Sequence, residues 1–183
     1  MKTNTKTIVL VGVLAALSYV LMIFPKIPGI IPAFPWLDID FSDVPALLAA
    51  VAVSPIAGVL VVLIKNVLHL TVTSTGAVGE LSNFICGAAL VLTCGLTTKY
   101  LFKNMLNKYK LLITLPIASI AQVCAAILGN YFLMIPLYGI QATANAYIIG
   151  GVIPFNLIKD VLVCVVFYFI YVLVYPKIQK RMY

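Results

Sequence analysis

Long apolar stretches recur along the chain, divided by short segments that hold most of the charge. The clear ones are Thr7–Phe24, Gly79–Phe102, Leu111–Leu137 and Val152–Tyr175. Each approaches or exceeds the about 20 residues a helix needs to cross a bilayer, where about 17–25 are tolerated. Between the first two lies a less regular apolar region, Val44–Val72, interrupted at Ser54-Pro55. Read as one helix it gives five spans. Read as Asp43–Val53 plus Pro55–Val72 it gives six. Pro45 suits a first helical turn, which makes Ser42 or Asp43 the expected N-cap of the earlier piece. Composition agrees with the pattern: of 183 residues, 63% are hydrophobic and 9% charged, against about 25% charged in soluble domains. The chain is long enough for one compact bundle and shows no repeat or composition break. The expectation is a single all-α transmembrane domain over 1–183.

Charge placement chooses between five spans and six. Lys2 and Lys6 precede the first apolar run, four lysines fall between Lys99 and Lys110, and Lys177, Lys180 and Arg181 close the chain. The positive-inside rule wants all three clusters on the cytoplasmic face. Six spans put them there, with both termini cytoplasmic. Pro25–Ser42, Thr73–Val78 and Tyr138–Gly151 then lie outside. The first of these carries Trp36, Asp38 and Asp40, and Pro25, Pro28, Pro32 and Pro35 restrict its backbone to a stiff cap. The net charge of +7 belongs to the ends of apolar runs. No basic stripe interleaved with aromatics exists, so nucleic acid is excluded as a partner. Cys86, Cys94, Cys124 and Cys164 lie inside apolar runs without Cys-x-x-Cys spacing, and read as buried free thiols. No small-residue cleavage site follows the first run, so it reads as a retained helix.

Ionisable and amide groups inside apolar runs need a reason, since a charge there costs roughly 2.5–3.5 kcal/mol on insertion scales. On the six-span topology Glu80 and Asn83 open the fourth span, Asn130 ends the fifth, and Asn156 and Lys159 begin the sixth. All five share the outer part of the bilayer, as a cavity open to the outside would require. Bonding between helices is the rival account of the asparagines and of Lys159, and especially of Asp160. Lys65, Asn66 and His69 form a second patch on the third span. No carboxylate shares that helix, so a solvated histidine is expected there rather than a proton relay. Gly12 and Ala16 put two small residues on one face of the first helix, where another helix can approach closely. P-loop, Gly-x-Ser-x-Gly, His-Glu-x-x-His and paired catalytic carboxylates are all missing. An enzyme is not expected, and if the chain drives uphill uptake the energy must come from elsewhere.

At Asp40-Phe41-Ser42-Asp43-Val44-Pro45-Ala46-Leu47 the sequence resembles the substrate-binding S components of energy-coupling-factor (ECF) transporters, and among them the riboflavin-specific branch. Ile64-Lys65-Asn66, Gly79-Glu80-Leu81-Ser82-Asn83-Phe84, Asn130-Tyr131 and Pro154-Phe155-Asn156-Leu157-Ile158-Lys159-Asp160 extend the likeness over nearly the whole chain. The resemblance implies a multi-pass subunit of the bacterial plasma membrane that captures riboflavin as its transported ligand and uses no cofactor. Its partners would be a transmembrane coupling protein and two cytoplasmic ATPases. The positions matching the family's riboflavin-bonding residues are Asn130, Asn156 and Lys159. Gly79, Glu80, Asn83 and Trp36 complete the expected site, with Phe34 and Phe84 as further candidates to cover the flavin ring. Where the family has Ala-x-x-x-Ala facing the coupling protein, this chain has Gly12 and Ala16. An S component for another vitamin, or a proton-driven carrier using His69, Lys65 and Glu80, is the alternative. Uptake that outlives loss of the ATPases but fails with the proton gradient would favour the carrier.

Overall fold

The computed structural model describes residues 5–73, 76–103, 105 and 107–182, with side chains for all of these but 107, 108 and 174–182. Lys2, and the side chains of Lys108, Lys177, Lys180 and Arg181, therefore lie outside the described residues, as do Ser74 and Thr75 of the segment expected between the third and fourth spans. The described residues form helices and turns, with one isolated antiparallel bridge, Ile27 to Ile39. The helices are α1 (Thr5–Ile23), α2 (Asp43–Ala52), α3 (Pro55–His69), α4 (Val78–Leu96), α5 (Asn107–Gly129), α6 (Ile135–Tyr138), α7 (Ala144–Tyr147) and α8 (Ile153–Met182). They join into four runs long and apolar enough to cross a bilayer: Thr5–Ile23, Val78–Leu101, Tyr109–Tyr138 and Gln141–Leu173. α2 and α3 are shorter apolar helices.

The break at Ser54-Pro55 is real. Proline fits the first turn of α3 because it lacks the N–H that would go unbonded there, and Ser54 Oγ accepts from the Ala57 N–H at 3.1 Å. At α2 the structure corrects the expected cap. Ser42 has helical dihedrals and makes no side-chain cap bond; its hydroxyl is committed elsewhere, as described below.

α2 is the axle of the bundle. Every residue from Asp43 to Ala50 is buried, against α1, α3, α4 and α8. Small residues make that possible: a Cβ added at Gly58 of α3 would lie 2.6 Å from the Ala50 Cβ, and one at Gly87 of α4 would lie 3.1 Å from Asp43 Oδ1. Close backbone approach through glycine and alanine is how apolar helices pack when lipid supplies no hydrophobic drive.

The segment Tyr138–Gly151, expected as a loop, is mostly helical. Gly139, in the left-handed region at φ +69°, ends α6 abruptly. Helical turns resume at Gln141 and continue into α8. Gly150-Gly151 is absorbed in a widened turn, Ile148–Val152, whose Ile153 N–H reaches back to the Ile148 carbonyl. Similar π-type turns lie at Thr97–Leu101 and Asn130–Met134. Over this end of the bundle lies the proline-rich segment 24–42, pinned by paired Ile27–Ile39 backbone bonds of 2.9 and 3.0 Å.

Candidate functional site

Beneath that cap is a cavity of about 200 Å³. Gly79, Glu80, Asn83, Asn130, Asn156, Lys159 and Trp36 all line it, so the seven positions singled out in sequence meet at one place. Asn130 opens one widened turn and Asn156 follows the other by one helical turn. Each donates its side-chain N–H to the carbonyl four residues back, Asn130 Nδ2 to Ala126 and Asn156 Nδ2 to Val152, both at 2.8 Å. Gln122 of α5, buried and missed in the sequence, donates to Asn156 Oδ1 at 3.3 Å. Asn83 Oδ1 and Gln122 Oε1 are buried acceptors with no donor among the described residues. Two buried amide oxygens without a donor can accept from N–H or O–H groups of a molecule in the cavity.

At the foot of the cavity the charges are paired. Lys159 lies 3.0 Å from Asp40 and 3.5 Å from Asp43, and Lys65 reaches Asp43 at 2.5 Å and the Ser42 hydroxyl at 2.6 Å. Ser42 gives its N–H (2.8 Å) and its hydroxyl proton to Asp40, while Ser18 of α1 donates to the Ser42 carbonyl at 2.5 Å. Burial alone would push the Asp40 carboxyl up. The ammoniums of Lys159 and Lys65, with the Ser42 bonds, outweigh it and hold the group at about 2. Asp160 is buried one residue beyond, and neither of its oxygens has a donor among the described residues.

Several expectations change here. Lys65 and His69 are not a separate, solvated patch. Lys65 is fully buried in the charge network, and His69 Nδ1 meets Glu80 at 2.8 Å at the cavity wall. The carboxylate sought within α3 comes from α4, across the fold. Phe84 does not cover the cavity and packs on the main core. Phe34 stands behind the wall, edge-on to Trp36 (5.7 Å) and Tyr147 (5.2 Å) and seated against Gly151. The aromatic lining is Trp36, Tyr138, Tyr147 and Phe155. Cys124 is exposed rather than buried, whereas Cys86 and Cys94 are buried as expected. Gly12 and Ala16 lie on the exposed face of α1, and Gly12 has open space where a Cβ would project.

The family profile described as "ECF transporter, substrate-specific component" matches residues 6–171. The chain belongs to this family of transporter subunits. It is 36% identical over 176 residues to the riboflavin transporter RibU of Staphylococcus aureus (strain TCH60), covering 92% of this chain and 89% of that protein. It is 32% identical over 193 residues to the riboflavin transporter FmnP of Bacillus subtilis (strain 168), at 97% and 96% coverage. Among solved structures it is similar to one described as "Structure and mechanism of the S component of a bacterial ECF transporter", with TM-score 0.78, 34% identity and coverage of 98% and 99%. The resemblance read from the motifs is thus shown at family level, and with it a membrane transport subunit rather than an enzyme. In this S component the Asp-Phe-Ser-Asp motif at 40–43 does its visible work through the buried ion pairs rather than through a helix cap.

Proposed function

We propose that this S component is the riboflavin-binding subunit of an ATP-driven vitamin importer in the bacterial plasma membrane. It is a single domain with six spans and both termini cytoplasmic, and it holds one riboflavin in the cavity under segment 24–42. The carrying observation is the convergence of Glu80, Asn83, Gln122, Asn130 and Asn156 on a cavity walled by Trp36 and Tyr147. Riboflavin matches this chemistry: its imide N–H and polyol hydroxyls suit the Asn83 and Gln122 amide oxygens, which have no donor among the described residues, and its ring suits the aromatic wall. Burying roughly 300 Å² of ring at about 25 cal/mol per Å² favours binding by about 7–8 kcal/mol before association costs. Nanomolar capture needs about −12 kcal/mol, so the polar contacts must contribute. At about 200 Å³ the cavity is smaller than the roughly 300–1,000 Å³ usual for such ligands. Admitting a whole flavin therefore requires the cap to shift outward.

The S component itself carries no nucleotide-binding motif, so a transmembrane coupling protein and two cytoplasmic ATPases supply the energy. The open small-residue face at Gly12 and Ala16 is where we place the coupling protein. The test is direct. Protein purified from riboflavin-fed cells should be yellow, and equilibrium dialysis should give about one flavin per chain. Asn156→Ala should bind roughly 5- to 150-fold more weakly, the range for stranding a buried hydrogen-bond partner. Colourless protein that binds another vitamin instead would overturn the assignment. Flavin leaking passively through liposomes that contain only this chain would overturn the closed-site reading.

A further inference from the structure

A second cavity, about 220 Å³ in volume, opens at the end of the bundle opposite the cap. Lys159 and Tyr171 line the two cavities from the same helix, twelve residues apart, or roughly 18 Å at 1.5 Å per residue. Lys99, Lys103 and Lys110 line the second cavity with Ser54, Thr98 and Tyr171, the Lys99 ammonium lying 5.4 Å from the Tyr100 ring centre at its rim. Lys110 is buried, yet among the described residues its ammonium has one contact, 3.4 Å from the Lys103 carbonyl. An ammonium carries three donors, so this one is under-used. The side-chain carboxylates are committed elsewhere. The five in the chain are Asp38, Asp40, Asp43, Glu80 and Asp160. The first four line the cavity under the cap, and Asp160 neighbours Lys159 there. None of the three lysines is in an ion pair among the described residues.

We propose that this second cavity binds the phosphate of an anionic lipid headgroup. Three cations around hydroxyl donors form an anion site, and a recess between the ends of α2 and α4, the start of α5 and Tyr171 of α8 admits a single headgroup better than a flat acidic protein surface. Aliphatic Val51 and Val53 on its wall suit the stem of a lipid. On the orientation given under Proposed function, which this inference uses, the recess opens toward the cytoplasmic leaflet. Basic pockets between helices on that side are a known kind of headgroup site.

The test uses the full chain in detergent with equimolar phosphatidylglycerol and phosphatidylcholine, read by native mass spectrometry, with riboflavin binding measured on the same samples. Phosphatidylglycerol should be retained in preference. Lys110→Gln should cut that preference about fivefold and the Lys99→Gln/Lys103→Gln/Lys110→Gln variant much further, at about fivefold per lysine. Lys110→Arg should keep it, and Lys6→Gln, which removes the same charge elsewhere, should leave it unchanged. Riboflavin affinity should stay the same in all of them, whereas an unaltered chain that binds no riboflavin would fault the flavin assignment and not this one. Several results would overturn the proposal. One is equal retention of both lipids, including the case where the lysine variants fail only to co-purify with the energy-coupling subunits, which would point to a protein surface. Another is an equal loss in Lys6→Gln. A third is stabilisation by millimolar inorganic phosphate with none by phosphatidylglycerol, which would make free phosphate the ligand.

Discussion

Lys159 stands where two demands meet, since its ammonium both lines the cavity and holds Asp40 and Asp43 at 3.0 and 3.5 Å. At an effective dielectric constant of about 20, charges 3.0 Å apart attract by about 5.5 kcal/mol, before the loss of hydration is counted. Removing one partner of a buried pair typically costs about 3–5 kcal/mol, because the other charge is stranded. Lys159→Gln should therefore lower the unfolding temperature by about 6–20 °C for a chain of this size. Asp40→Asn should cost less, since Asp43 still serves Lys159. The double variant Asp40→Asn/Lys159→Gln strands no charge at this pair and should be more stable than the sum of the two single losses predicts, by at least about 1 kcal/mol. Affinity should behave differently. If the third N–H of Lys159 serves the flavin, the double variant stays at least about fivefold weaker even as stability returns. Thermal unfolding in detergent and flavin-fluorescence quenching read the two quantities separately. Additive stability losses would refute the ion-pair reasoning, and full recovery of affinity would remove Lys159 from the ligand's contacts.

Three further outcomes follow from the geometry. Gly12→Leu or Ala16→Leu should abolish uptake and co-purification with the coupling protein while leaving riboflavin affinity intact; normal uptake would make this face lipid-facing only. A Cβ at Gly151 would lie 2.7 Å from the Phe34 ring. Gly151→Ala should therefore push Phe34 against Trp36, shift the emission of the chain's single tryptophan and weaken flavin binding a few-fold; an unchanged spectrum would count against that packing. Asp40 has a folded pKa of about 2, below its ordinary 3.8. Its stabilising contribution is complete above the ordinary value and is lost as pH falls toward the folded one. Unfolding temperature should thus show no step from this group between about pH 8 and pH 5, and a step near pH 6 traced to Asp40 would contradict it.

The apolar runs and the Ser54-Pro55 break were legible because both are local: run length decides a span, and a capping serine followed by proline favours the start of a helix. The ligand-site candidates were legible because amides and charges are conspicuous in an apolar run. What escaped was pairing across the fold. Nothing in the sequence near His69 announces Glu80, and nothing near Lys65 announces Ser42 and Asp43, since those partners are set by how α2, α3 and α4 pack. Gln122 escaped although it is an amide in an otherwise apolar run and could have been flagged on that ground alone. Phe84 was misplaced because helical spacing alone does not say whether an aromatic on α4 faces the cavity or the core. The helix running from Gln141 through Gly150-Gly151 was misjudged because two glycines normally mark a boundary, and here a widened turn keeps them helical.

The widened turns at Asn130–Met134 and Ile148–Val152 each hold one residue more than an ordinary helical turn would. Losing a single codon from either would convert it to an ordinary turn and rotate the flanking segment by about 100° relative to the rest of its helix. Tyr138 and Tyr147, on the cap side, would swing to new bearings while Asn130 and Asn156 kept theirs. α1, α2 and α3 would keep their sequence unchanged. The rim can thus be re-indexed independently of the floor, which gives a lineage a one-codon route to a different ligand without rebuilding the bundle.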